Sequence, residues 1–109
     1  MLLSSLEFEW DEEKNKKNLA KHGVDFADAQ YIFNDQFCRI AYDREHSLTE
    51  KRWKVIGNIG KILVVSVTHR NNVVRIISAR KATKKERSIY YGNGEEQDKY
   101  NQTYTWWSY

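Results

Sequence analysis

A chain of 109 residues carries one domain, because a second core would be too small to hold itself together. With 40% apolar and 14% aromatic residues, no proline and 5 glycines, general disorder, collagen and flexible-tether compositions are excluded. The formal charge of +3 and a pI near 9.0 are mild over the whole chain, and the lone Cys38 excludes an internal disulfide or a multi-thiolate zinc site.

Residues 6–10, Leu-Glu-Phe-Glu-Trp, alternate apolar and acidic positions and predict a short strand with one buried face. Asp11 supplies an N-cap oxygen to a helix with Glu12 and Glu13 in its first turn. That helix is polar, with Leu19 and Ala20 as its expected apolar anchors, and Gly23 stops it. Asp25 is expected to cap a second helix, with Asp28 as capping-box partner and Phe26, Ala29, Ile32 and Phe33 on its packed side. The period then shifts to alternation. Strands are expected over 37–42, 52–58, 61–69 and 73–79, joined after a polar loop by short turns into an antiparallel meander. Thr83 and Glu86 form a capping-box pair that opens a third helix, ended at Gly92. The expected architecture is an α+β sandwich, order β-α-α-β-β-β-β-α, with the helices on one face of the sheet. Residues 1–92 form the domain and 93–109 an extension, polar and then aromatic through Tyr104, Trp106, Trp107 and Tyr109.

No stretch approaches the ~20 apolar residues of a membrane span, and Met1 to Leu6 lack the features of a signal peptide, so a cytoplasmic location is the expectation. Cys38 sits in an apolar stretch as a small buried hydrophobe.

Chemistry concentrates late in the chain. Arg75, Arg80, Lys81, Lys84, Lys85 and Arg87 crowd together with Glu86 as the one acid among them, either a solvated face or the footprint of a phosphate binder. If Arg70 faces Val73 across the Asn71–Asn72 turn, Thr68 faces Arg75, Val67 faces Ile76 and Ser66 faces Ile77. One face then carries Val65, Val67, Val74 and Ile76, and the other Ser66, Thr68, Arg70 and Arg75. The planar guanidinium fork suits two phosphate oxygens. His22 ends the first helix, where the macrodipole favours imidazolium; it can transfer protons or only satisfy terminal carbonyls. No catalytic-triad spacing, glycine-rich phosphate loop or metal-binding carboxylate cluster is evident, so any catalysis is expected to run without a metal or cofactor.

Two stretches resemble the BrnT family. The first is Phe-Glu-Trp-Asp followed by Lys-His-Gly-Val and Phe-x-Asp between residues 8 and 35. The second is Arg-Ile-Ile-Ser-Ala-Arg-Lys-Ala-Thr at 75–83 with Glu86 and Tyr90, and Arg52 with Ile56-Gly57 fits the strand between them. The resemblance implies a RelE-like fold and a ribonuclease toxin of a type II toxin–antitoxin pair. It also implies a BrnA-like antitoxin partner that carries the DNA-binding part, so that DNA is met only indirectly. On that basis the expected catalytic residues are Arg75, Arg80, Glu86 and His22, and the expected RNA contacts are Arg52, Arg70, Lys14, Lys21, Lys84 and Tyr90. The alternative is a non-catalytic module that binds the antitoxin or RNA and acts in operon repression.

Overall fold

The structure, a computed structural model, describes residues 6–93 and 97–100. The aromatic residues of the tail, Tyr104, Trp106, Trp107 and Tyr109, to which the sequence assigns no role, lie outside them. The elements are β1 (Glu7–Glu9), α1 (Glu12–His22), α2 (Phe26–Ala29) running into a 3-10 turn (Gln30–Asn34), β2 (Arg39–Tyr42), β3 (Trp53–Asn58), β4 (Ile62–Arg70), β5 (Val73–Lys81), α3 (Lys84–Tyr90) and α4 (Gln97–Tyr100). The sheet order is β1-β5-β4-β3-β2. The meander β2 to β5 is antiparallel as expected, and β1 adds a parallel edge strand beside β5. Among the described residues, no helix is long and apolar enough to cross a membrane.

The helix expected to be anchored by Leu19 and Ala20 is anchored by asparagines instead. Leu19 is 45% exposed, whereas Asn15 and Asn18 are the buried residues of α1. The reason is an open sheet edge. β1 pairs β5 only from Val73 to Arg75, which leaves the outer backbone groups of Ala79 without a strand partner. The Asn18 side chain supplies one: its amide donates to the Ala79 carbonyl at 2.8 Å, and its carbonyl accepts the Ala79 N–H at 3.1 Å. A carboxamide carries the same donor–acceptor pair as a peptide unit, so α1 closes the edge as a strand would. Asn15 ties the same helix to α2 by accepting from the Phe26 N–H and donating to the Asp25 carboxylate. Asp25 caps α2 through the Ala27 N–H, with Asn15 in place of the expected Asp28 box.

α1 and α2 cover one face of the sheet. There Phe26, Ala29, Ile32 and Phe33 meet Val55, Leu63, Val65, Val67, Val74 and Ile76, all at 1% exposure or less. Cys38 packs at the margin of this cluster, and burial pushes its thiol up to about 11. Gly57 admits the 3-10 turn, because a Cβ there would stand 2.6 Å from the Ile32 Cβ. β2 begins two residues later than expected: the Asp35 carboxylate holds the Phe37 N–H, and the Phe37 ring is 65% exposed.

α3 departs from the expected one-sided arrangement. It lies on the opposite face, where Ile89 and Tyr90 join Ala41, Ile56, Val64 and Ala82 in a second cluster completed by Tyr100. The unbroken apolar run Ile62–Val65 demands this, since alternation sends Ile62 and Val64 to the face away from α2. α3 covers only one end of that face. The rest stays accessible.

Candidate functional site

A β-bulge builds the site. Arg70 pairs with Val73, Thr68 with Arg75 and Val67 with Ile76, as the hairpin register predicts; Asn71 takes a left-handed φ of 55° at the turn. The expected Ser66–Ile77 pair does not form. Ile77 is the extra residue of a bulge, and Ser66 pairs with Ser78. Strict alternation from Arg75 would send Arg80, five residues on, to the opposite face. The bulge reverses that: Arg80 pairs with Val64, four residues before the Thr68 that pairs with Arg75, so both arginines occupy one face. Ser66, Thr68 and Ser78 share it. Lys54 does too, opposite Ser66 on β3, and it was missed from sequence although alternation from Ile56 points to it.

Each arginine has an acidic partner. Arg75 donates to the Glu9 carboxylate at 2.9 Å across β1, with the side chains 43% and 51% exposed. Arg80 grips Glu86 with both terminal nitrogens, at 2.6 and 2.8 Å, in a more enclosed pair. Glu86 also accepts the Thr83 N–H, while its own N–H bonds the Thr83 hydroxyl, completing the expected capping box. Burial raises the Glu86 carboxyl, but the Arg80 fork and the Thr83 backbone outweigh it and hold the group at about 2. A carboxylate so stabilised is a poor proton acceptor at neutral pH. Glu86 is built as the counter-ion that orients Arg80 and starts α3.

The other expected residues divide. Arg70 and Arg75 line a cavity of about 590 Å³ at the ends of β4 and β5, together with Lys51, Thr68 and His69. Burial lowers the His69 pKa. Lys14 lies one turn from Asp11, two residues after the Glu9 that pairs with Arg75, so α1 begins near that end of the site. Arg52 approaches Glu50 at 4.0 Å beside β3. Lys84 is exposed on the first turn of α3. Lys21 and His22 sit at the far end of α1; among the described residues no hydrogen bond or ion pair joins His22 to either arginine. Tyr90 is corrected outright as an RNA contact. It is 8% exposed, and its hydroxyl donates to Asp35 at 2.6 Å; burial first and Asp35 second push it up to about 12.

Comparison with known proteins gives the family and the fold. Residues 10–86 match the family described as the ribonuclease toxin BrnT of type II toxin–antitoxin systems. Among solved structures, the chain is similar to the BrnT ribonuclease toxin of Brucella abortus, with a TM-score of 0.54 and 27% sequence identity over 72% of this chain and 99% of that one. No curated protein matches. The element order and the five-stranded sheet accord with the RelE-like α+β fold. The family pairs each toxin with an antitoxin, so a protein partner comes with membership. The chain belongs to the BrnT family of ribonuclease toxins of type II toxin–antitoxin systems.

Proposed function

We propose that this protein is an endoribonuclease that cleaves RNA on the face carrying Arg75 and Arg80, without a bound metal, in the cytoplasm, and that a BrnA-like antitoxin neutralises it. The ribose 2′-oxygen forms a bond to the adjacent phosphorus as the bond from phosphorus to the 5′-oxygen breaks. The 2′-OH gives up its proton, the leaving 5′-oxygen gains one, and a 2′,3′-cyclic phosphate and a 5′-OH remain. The bulge that brings two arginines and three hydroxyls to one accessible sheet surface is the observation that carries this reading.

The ion pairs define the division of labour. The Arg75–Glu9 pair is exposed on both sides, and such pairs contribute only about 0–1 kcal/mol. A phosphate can therefore displace Glu9 and take the Arg75 fork at little cost. Arg80 stays clamped by Glu86 and supplies fixed positive charge beside the reacting phosphate. Arg70, Lys14, Arg52 and Lys84 flank the face as contacts for the rest of the chain. The same ion pairs favour a second reading, a surface that binds RNA or antitoxin without turnover.

Cleavage of RNA by the unaltered protein separates the two, and Arg75→Ala then tests the face. If Arg75 stabilises the phosphoryl oxygens, cleavage of an RNA substrate falls by about 10²–10³-fold, while the melting temperature barely moves because the ion pair removed is exposed. Unchanged cleavage would mean that RNA meets a different surface.

A further inference from the structure

The arginine face continues across the sheet into a cleft whose closing wall, Lys99 and Tyr100, lies beyond the residues matched by the family. We infer that this cleft, floored by β2 and β3 and closed by α4, holds the sugar–phosphate chain of single-stranded RNA beside the scissile site, with Lys54 and Lys99 as its phosphate contacts. The inference rests on the ribonuclease reading and extends its substrate track.

The cleft has a volume of about 710 Å³ and includes Ala41, Arg44, Lys54, Lys99 and Tyr100 in its lining. That volume lies within the roughly 300–1,000 Å³ of ligand-binding cavities. Lys54 is the central observation. Register sets it opposite Ser66, which pairs with Ser78, so one row of polar side chains runs from the cleft to β5. Two strand spacings, about 10 Å, separate Lys54 from the strand that bears both arginines. Arg75 and Arg80 each hold a carboxylate, but among the described residues Lys54 makes no hydrogen bond or ion pair. A half-buried lysine with no carboxylate within ion-pair distance is a cation available to an incoming anion.

α4 supplies the second cation. Tyr100, 7% exposed, is packed into the cluster formed by Ile56, Val64 and Ile89, which fixes Lys99 at the rim of the cleft. Tyr100 shares its cluster with Val64, the ladder partner of Arg80, so the cleft and the arginine face adjoin. Two acids line the cleft, and one of them, Asp43, is buried and turned to the His46 ring at 2.9 Å. Arg44 and Lys54 thus face Glu45 and one occupied carboxylate, with Lys99 at the rim. A polyanion that already spans the arginines fits this arrangement better than an acidic protein segment, which would have to meet the same cations without being led there by the hydroxyl row.

The test is the salt dependence of binding by the full-length protein. The probe is a short 2′-O-methyl oligoribonucleotide, whose blocked 2′-oxygen keeps it intact. Removing one cation that neutralises a phosphate should flatten the slope of log K against log salt by about 0.7. Lys54→Ala and Lys99→Ala should each show that shift and the double variant about twice it, with melting temperatures unchanged. Unaltered slopes in both variants, alongside a flattened slope in Arg75→Ala, would overturn the cleft and leave the arginine face standing. Intact RNA binding with abolished antitoxin binding would make the cleft a protein site and overturn the inference. A wild-type protein that binds no RNA would overturn the inference and the ribonuclease reading together.

Discussion

At the level of single residues, the site is organised by where charge is fixed and where it is exchangeable. Glu86 and Arg80 form a clamp: the carboxyl is held at about 2 against an ordinary value of 4.5, so it binds protons more weakly in the folded protein than in the unfolded chain. The stabilisation it brings is present above its unfolded value near 4.5 and disappears as pH falls through about 2. Glu86→Gln should therefore lower stability at neutral pH by about 1.5–3 kcal/mol, the range for hydrogen bonds to charged groups. It should also flatten the acid side of the stability–pH curve between those two values. Urea titrations of both proteins at pH 7, 4 and 2.5 measure this; an equal loss at every pH would show that the clamp adds nothing through its charge. Sequence revealed the Glu86 cap, because Thr83 and Glu86 stand three apart before an apolar-periodic stretch. It did not reveal that the same carboxylate binds Arg80, since that contact needs the bulge to turn Arg80 toward α3.

At the level of elements, the unusual feature is a helix that finishes a sheet through amide chemistry. α1 has few apolar residues to bury, and Asn18 replaces the missing strand beside Ala79. Asn18→Ala leaves the Ala79 N–H and C=O and the Val24 carbonyl without that partner. Each buried orphan costs about 1–3 kcal/mol, so a loss of at least ~3 kcal/mol is expected. Hydrogen exchange at the Ala79 amide should accelerate more than at Val65, across the ladder on β4. If both amides accelerate equally, global unfolding and not edge opening governs exchange there. Periodicity made the α+β order legible and located the hairpin to the residue. It led to Leu19 as an anchor because apolar spacing is silent about polar groups buried by backbone hydrogen bonds. It placed α3 with the other helices because capping signals define where a helix starts, not which side of a sheet it covers; the run Ile62–Val65, buried on both faces, held that information.

For the whole molecule, the two faces of one sheet differ in character. α1, α2 and the 3-10 turn press the larger apolar cluster against one face, while the other carries a small cluster at one end and charged and hydroxyl side chains over the remainder. The bulge at Ile77 is the hinge of this division, because it lets β5 contribute Ala79 to the core and Arg80 to the open surface. The central claim is that this surface cleaves RNA through the ribose 2′-oxygen, and end-group analysis of RNA incubated with the antitoxin-free, folded protein in EDTA tests it most directly. The account predicts cleavage that EDTA does not suppress, with 2′,3′-cyclic phosphate and 5′-OH ends. Intact RNA, or cleavage that stops in EDTA and otherwise leaves 5′-phosphates, would contradict it.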